Sequence, residues 1–166
     1  MCTDKYLTYR FCQDNNINAP KTYLWTEKER LFKDLEQGFI TYPVLAKPRR
    51  GSKSIGIHLL NNETELIGDI NAAESSNMPE EEKCMYQDRH SGVLFAAHVL
   101  CNKRQEPFSI VTMINLTEHF GETYQNIAYY DEKLFEYVFN TVSRFGAYGI
   151  IDLNIMQKAN GEFVLL

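Results

Sequence analysis

A chain of 166 residues, 44% hydrophobic, 23% charged and 13% aromatic, suits one domain or two small lobes and excludes disordered, collagen-like and membrane-spanning compositions. Its net charge of -5 leaves no global basic field, so nucleic acid is not an expected partner and any anion site has to be local. No apolar run approaches the ~18 residues of a membrane span, the opening MCTDKYLTYR has no signal-peptide apolar core, and the 4 cysteines show no CxxC spacing, so a cytoplasmic protein with reduced thiols is expected.

In chain order, Tyr6, Leu7, Phe11 and Cys12 recur at helical spacing over residues 4–16, with Asp4 placed to cap the helix. Pro20 ends that helix by pushing the preceding residue out of the α region. KTYLW (21–25) reads as a strand, and Thr26 with Glu29 forms a capping box opening a helix to about Gln37, where Gly38 stops it. YPVLAKP (42–48) and GIHLLNN (56–62) read as two strands of a hairpin around the loop 49–55. Asn62 opens another helix, and PEEE (79–82) is a solvated connector at the candidate lobe boundary.

KCMYQDR (83–89), VLFAAHVLC (93–101) and FSIVTMINL (108–116) follow as strand-like segments of an antiparallel meander. Residues 131–146 form an amphipathic helix, apolar at Leu134, Phe135, Val138, Phe139 and Val142 and stopped by Gly146. YGIIDLNIMQ, the turn KANG and EFVLL make a last hairpin. The order predicts an α+β fold with largely antiparallel sheets, divided as 1–82 and 83–166.

Several residues carry chemistry. Lys47, Arg49, Arg50 and Lys53 crowd around Gly51, Ser52, Ser54 and Gly56, giving backbone and hydroxyl donors beside cations, which suits phosphate; an exposed basic hairpin is the alternative. A strand follows the loop, so it is not a Walker A loop. Lys47 ends an apolar strand and needs an anion there, either a ligand or an acid of the chain. Asp152 and Asn154 share one strand face by period two, suited to a divalent cation that holds phosphates, or simply solvated. His119, Gly121, Glu122 and Thr123 sit in a polar turn after a strand. His58, His90 and His98 have no zinc-ligand spacing, and no Ser/His/Asp or Cys/His set is present, so no catalytic nucleophile is expected.

In their order these segments resemble the ATP-grasp family, with the ATP-grasp domain of the carbamoyl phosphate synthase large subunit as the nearest pattern. DKYLTYRFCQDNNINAPKTY is similar to the family's opening helix, and YPVLAKPRRGSKSIGIHLL to its nucleotide-binding strand and glycine-rich loop. CMYQDRHSG is similar to the adenine hinge, EHFGETY to the His-x-Gly-[Asp/Glu]-[Ser/Thr] loop of the synthases, and YGIIDLNIMQKANGEFVLL to the metal-carrying hairpin.

The resemblance implies two α+β lobes with ATP between them. Lys5 and Lys47 would then contact phosphates, and Gly51, Ser52, Ser54 and Gly56 would fold over them. Asp88 and His90 would border adenine through backbone groups with Gln87 beside them, His119 would lie near the phosphates, and Asp152 would take the first Mg2+ position. The implied chemistry is that of an ATP-dependent ligase, which activates a small carboxylate or bicarbonate as an acyl phosphate for attack by a nucleophile. Flanking lobes of a longer parent chain are implied as partners, and a homo-oligomer is compatible with the pattern.

Three positions depart from the family. Leu94 stands where a ribose-binding Glu is usual, Lys47 where the synthases use Arg, and the E-x-N that carries the second metal ligand would follow FVLL. The expectation is an excised ATP-binding core, inactive by itself, whose loop 49–55 is mobile without nucleotide. The alternatives are a degenerate ATP-grasp domain that binds nucleotide or supports assembly, and a generic α+β interaction domain.

Overall fold

The structure is a computed structural model describing residues 4–51, 55–119 and 122–166, with backbone alone for 118–119 and 122–124. The chain divides into two units: Met1–Cys12 with Pro20–Arg89, and Gln13–Ala19 with His90–Leu166.

The first unit opens with α1 (Lys5–Asp14), capped as expected by Asp4, whose Oδ1 accepts from Tyr6 N at 3.0 Å and Leu7 N at 3.2 Å. β1 (Thr22–Leu24) runs into a 3-10 turn, Trp25–Glu27, and then α2 (Lys28–Glu36). The expected Thr26–Glu29 box is not the device used. Glu27 instead holds the 3-10 turn ahead of α2, its Oε2 accepting from Leu24 N at 2.9 Å and from Tyr6 Oη at 2.8 Å.

β2 (Val44–Pro48) and β3 (His58–Leu60) form the expected antiparallel pair, with Val44 opposite Leu60 and Ala46 opposite His58. α3 (Glu63–Ser75) is capped by Asn62, whose side chain accepts from Glu65 N at 3.0 Å. β4 (Cys84–Gln87) pairs with both β1 and β2 in a sheet of order β1-β4-β2-β3. It therefore belongs to the first sheet and not to the meander expected of 83–116, and the units meet at Arg89/His90, past the 82/83 division. Its pairing with β1, more than sixty residues earlier, is a long-range choice that local patterning does not encode.

Tyr23, Val44, Ala46, Leu60 and Tyr86 on this sheet close a core with Leu31 of α2 and Leu66 and Ile70 of α3. Each large side chain here contributes roughly 1.5–3 kcal/mol by leaving water. The two buried phenols are satisfied: Tyr23 donates to Asp34 and Tyr86 to Asp69 at 2.9 Å.

The second unit is a sheet of order β7-β6-β5-β8-β9, antiparallel throughout, from β5 (Val93–Cys101), β6 (Pro107–His119), β7 (Glu122–Ala128), β8 (Gly149–Gln157) and β9 (Phe163–Leu165). β6 runs to His119 and β7 starts at Glu122, so strand takes in both flanks of the polar turn expected there, while 120–121 lie outside the described residues. α4 (Glu132–Phe145) starts at Asp131, whose Oδ1 accepts from Leu134 N at 2.8 Å, and stops at Gly146 with φ +57°.

Leu134, Val138 and Val142 of α4 are buried, as are Phe95, Ala97 and Val99 on the same sheet face. Phe139, read as part of the apolar stripe, is 43% exposed, and Thr141 is buried instead. The opposite sheet face carries Leu94, Ala96, His98 and Leu100 of β5 and Ile150, Asp152, Asn154 and Met156 of β8, all exposed or half-buried.

A short strap, Gln13–Ala19, completes this unit. Asn18 O accepts from Leu165 N at 2.8 Å, Asn18 Nδ2 donates to Glu162 at 2.9 Å, and Arg144 Nη1 donates to Asn15 O at 2.9 Å. Ile17 of the strap is buried. Among the described residues no helix is long and apolar enough to cross a membrane.

Candidate functional site

The residues expected to act fall into three groups. The first surrounds the root of the loop in the first unit. The β2 strand ends in Lys47-Pro48, and α1 meets it there: Lys5 N donates to Arg49 O at 3.0 Å, and Lys5 Nζ donates to Pro48 O at 3.2 Å and Gly51 O at 2.9 Å. Arg49 grips the α1 cap, its Nη2 lying 2.7 Å from Asp4 Oδ2 and its Nε 3.3 Å from Oδ1. Burial pushes the Asp4 carboxyl up, but the Arg49 bond and the Leu7 and Tyr6 N–H groups outweigh it and hold the carboxyl below its ordinary value.

Lys5, expected on phosphate, is thus engaged with loop carbonyls, and Arg49 is committed to Asp4. Lys47 is different. It is 8% exposed, and among the described residues no carboxylate or other acceptor pairs with its ammonium. Burial first, and Lys5 second, bring its pKa down to about 8. The acid partner that sequence reasoning left open is therefore absent among the described residues.

Gly51 and Gly56 flank the loop, both with positive φ. At Gly56 (φ +77°) a Cβ would stand 2.9 Å from Pro48 Cγ, so the returning chain passes too close to the loop root for any other residue to fit without strain. Ser52, Lys53 and Ser54, and with them part of the mobility expected of 49–55, lie outside the described residues.

The second group is the segment 87–92. Gln87 is buried, and its Nε2 donates to Thr22 Oγ1 at 2.8 Å, which spends the amide on holding β4 to β1. Asp88 N donates to Lys21 O at 2.9 Å in the first unit, and half-buried His90 opens the second. A Cβ on Gly92 would fall 2.1 Å from Gln157 O, so β5 starts with its backbone pressed against β8.

The third group lies on the open face of the five-stranded sheet. Asp152 and Asn154 share that face, as period two requires, and both are exposed. Directly across from Asp152 on β5 is His98, with Nδ1 2.5 Å from Asp152 Oδ1. Leu94 sits opposite Met156, an apolar pair where the family pattern has Glu.

An exposed carboxylate beside an amide offers hard oxygen donors, which fits a Mg2+ that keeps waters and takes phosphate oxygens for the rest. No group of 3 or more His, Cys, Asp or Glu side chains able to hold a metal occurs among the described residues. The side chain of His119 lies outside the described residues; its backbone pairs with Glu122 in β6 and β7.

Sequence reasoning set His98 aside because it has no ligand spacing along the chain. Its nearness to Asp152 arises only from the β5–β8 register.

Comparison with known proteins bears on the family and the fold. The ATP-grasp domain profile matches residues 2–165. A D-alanine--D-alanine ligase from Pseudothermotoga lettingae is 34% identical over 70 residues, 42% of this chain and 21% of that ligase. The D-Ala:D-Ser ligase VanG from Enterococcus faecalis superposes on 99% of this chain and 51% of its own with TM-score 0.67 and 19% identity. The biotin carboxylase domain of the Hydrogenobacter thermophilus 2-oxoglutarate carboxylase, solved with MgADP, ADP and bicarbonate, superposes on 98% of this chain and 38% of its own with TM-score 0.75 and 16% identity. The chain therefore spans about half or less of each of these relatives, and the structural likeness concerns the fold. By its near-complete profile match and its two antiparallel α+β units, the chain belongs to the ATP-grasp domain family.

Proposed function

We propose that this domain binds ATP with a divalent cation and serves an ATP-dependent ligase that activates a carboxylate as an acyl phosphate. The observation carrying this reading is Lys47: a buried ammonium with no acid partner among the described residues, at the root of a glycine-rich loop. Such a charge is costly unless an anion arrives, and a phosphate oxygen is the anion the loop chemistry suits.

Lys5 and Arg49 hold the loop root in place, so Lys47 presents its charge from a fixed strand end. Gly51, Ser52, Ser54 and Gly56 supply donors to the phosphates, and Asp88 and His90 border the base. In the second unit Asp152 and Asn154 offer oxygens to a divalent cation. No protein nucleophile is required, since orientation and charge stabilisation carry phosphoryl transfer.

The finer reading is a carbamoyl phosphate synthase-like reaction on bicarbonate in the cytoplasm. It rests on EHFGETY (118–124) and gains from the bicarbonate in the biotin carboxylase domain cited above.

Calorimetric titration of ATP into this chain and into Lys47→Met tests the reading. Loss of a charge-assisted bond of about 1.5–3 kcal/mol weakens binding roughly 10- to 150-fold. An unchanged affinity would refute it.

Leu94 favours a second reading, a degenerate domain with weakened nucleotide binding, because an apolar side chain cannot accept a ribose hydroxyl. Leu94→Glu separates the two: a large gain in ATP affinity supports the degenerate reading, and no gain leaves the first standing.

A further inference from the structure

The strands β5, β6 and β8 contain no Lys or Arg at all. Asp152, exposed on their open face, has His98 as its polar neighbour across the strand pair, and the two side chains are 70% and 52% exposed. An exposed pair of this kind does little for stability. Its chemistry as a donor set is more specific: one imidazole nitrogen and one carboxylate oxygen already 2.5 Å apart, with the Asn154 amide two residues along the same face.

We infer that His98 joins Asp152 as a ligand of a mixed nitrogen–oxygen cation site that takes an imidazole-accepting ion such as Co2+ or Zn2+ ahead of Mg2+. This inference rests on the proposed cation role of Asp152 and adds His98 and the choice of ion.

The geometry needs little change. Ligand bonds of ~2.1 Å at angles of ~90–110° put neighbouring donors about 3.0–3.4 Å apart, so the two side chains part by less than about 1 Å. Their exposure leaves room for that movement and for water ligands. Ala96, opposite Asn154, leaves the amide uncrowded. Mg2+ demands an octahedron of oxygens and gains little from imidazole, whereas later first-row ions bind it well.

The test uses the nucleotide-free chain, with Co2+ and Mg2+ alone as probes. Proton NMR of the histidine rings during Co2+ addition is expected to show the His98 signals displaced first, identified by their loss in His98→Ala. Calorimetry is expected to give a Co2+ affinity that falls about tenfold or more in both His98→Ala and Asp152→Asn, while the Mg2+ affinity falls only in Asp152→Asn. Equal Co2+ and Mg2+ affinities in the parent chain, or a Co2+ affinity within about twofold of it in His98→Ala, overturn the inference; the ring signals of the parent decide should a variant misfold.

The nucleotide reading is judged separately. A Lys47→Met chain that loses ATP affinity beside a His98 that ignores Co2+ sinks this inference alone. The converse result sinks only the nucleotide reading.

Discussion

Replacing Lys47 by Met should stabilise the ligand-free protein while weakening its hold on ATP. In the folded chain the Lys47 pKa falls from 10.5 to about 8, chiefly through burial and then through Lys5. A displacement of that size corresponds to about 3 kcal/mol favouring the unfolded state at neutral pH, since each pKa unit is worth about 1.4 kcal/mol.

The sign follows from proton binding. Between pH 8 and 10.5 the unfolded chain holds this proton and the folded chain releases it, so the stability of the parent protein rises with pH across that window. Below pH 8 the whole penalty applies. Methionine has a similar unbranched shape and no charge to desolvate.

Urea unfolding followed by the fluorescence of Trp25, which lies in the same unit, measures the effect. With a slope of ~2 kcal/mol per molar, Lys47→Met should raise the midpoint by roughly 1.5 M at pH 7. The advantage should shrink toward zero by pH 10.5. A Lys47→Met chain less stable than its parent at pH 7, or an advantage indifferent to pH, would show that the ammonium is already compensated in the folded protein. Lys47 would then need no phosphate to offset its charge.

Gly92→Ala should cost about 2 kcal/mol or more in thermal or urea unfolding, because its Cβ would stand 2.1 Å from a backbone oxygen that cannot turn aside. Asp131→Ala removes the acceptor for Leu134 N and should cost about 1 kcal/mol, whereas Asp131→Asn, which can still accept, should stay near the parent. The Asp4 carboxyl is held below its ordinary value, so its contribution is complete above the unfolded-state carboxylate range and is lost as pH falls through the lower folded value. Asp4→Asn should therefore lower stability at pH 7 and flatten the acid limb of the stability profile, seen by unfolding at pH 2–7.

What could be read in the sequence was what short-range chemistry specifies. Asp4, Asn62 and Asp131 accept from N–H groups two or three residues ahead, and Gly38 and Gly146 stop helices, so the starts of α1, α3 and α4 and the ends of α2 and α4 were legible. Strand partners were not. Nothing in CMYQ says that it pairs with Thr22–Leu24, and the 3-10 turn at 25–27 depends on Glu27 reaching a phenol on α1.

β7 escaped notice because ETYQNIA is an edge strand with little apolar alternation to announce it. The site divides the same way. Lys47 and Asp152 stood out as charges inside apolar runs, while the occupation of Lys5 by carbonyls and the meeting of His98 with Asp152 required the folded register.

The strap 13–19 has a consequence for how the protein avoids self-association. β9 is a short edge strand, and any sheet edge leaves backbone N–H and C=O groups open to a strand from another molecule. Asn18 O occupies the outward N–H of Leu165, and the Asn18 side chain ties down Glu162 just ahead of the strand. Seven residues from the other end of the sequence thus act as an aggregation guard. A trimmed second unit starting at His90 would leave that edge unsealed and should precipitate or pair with itself.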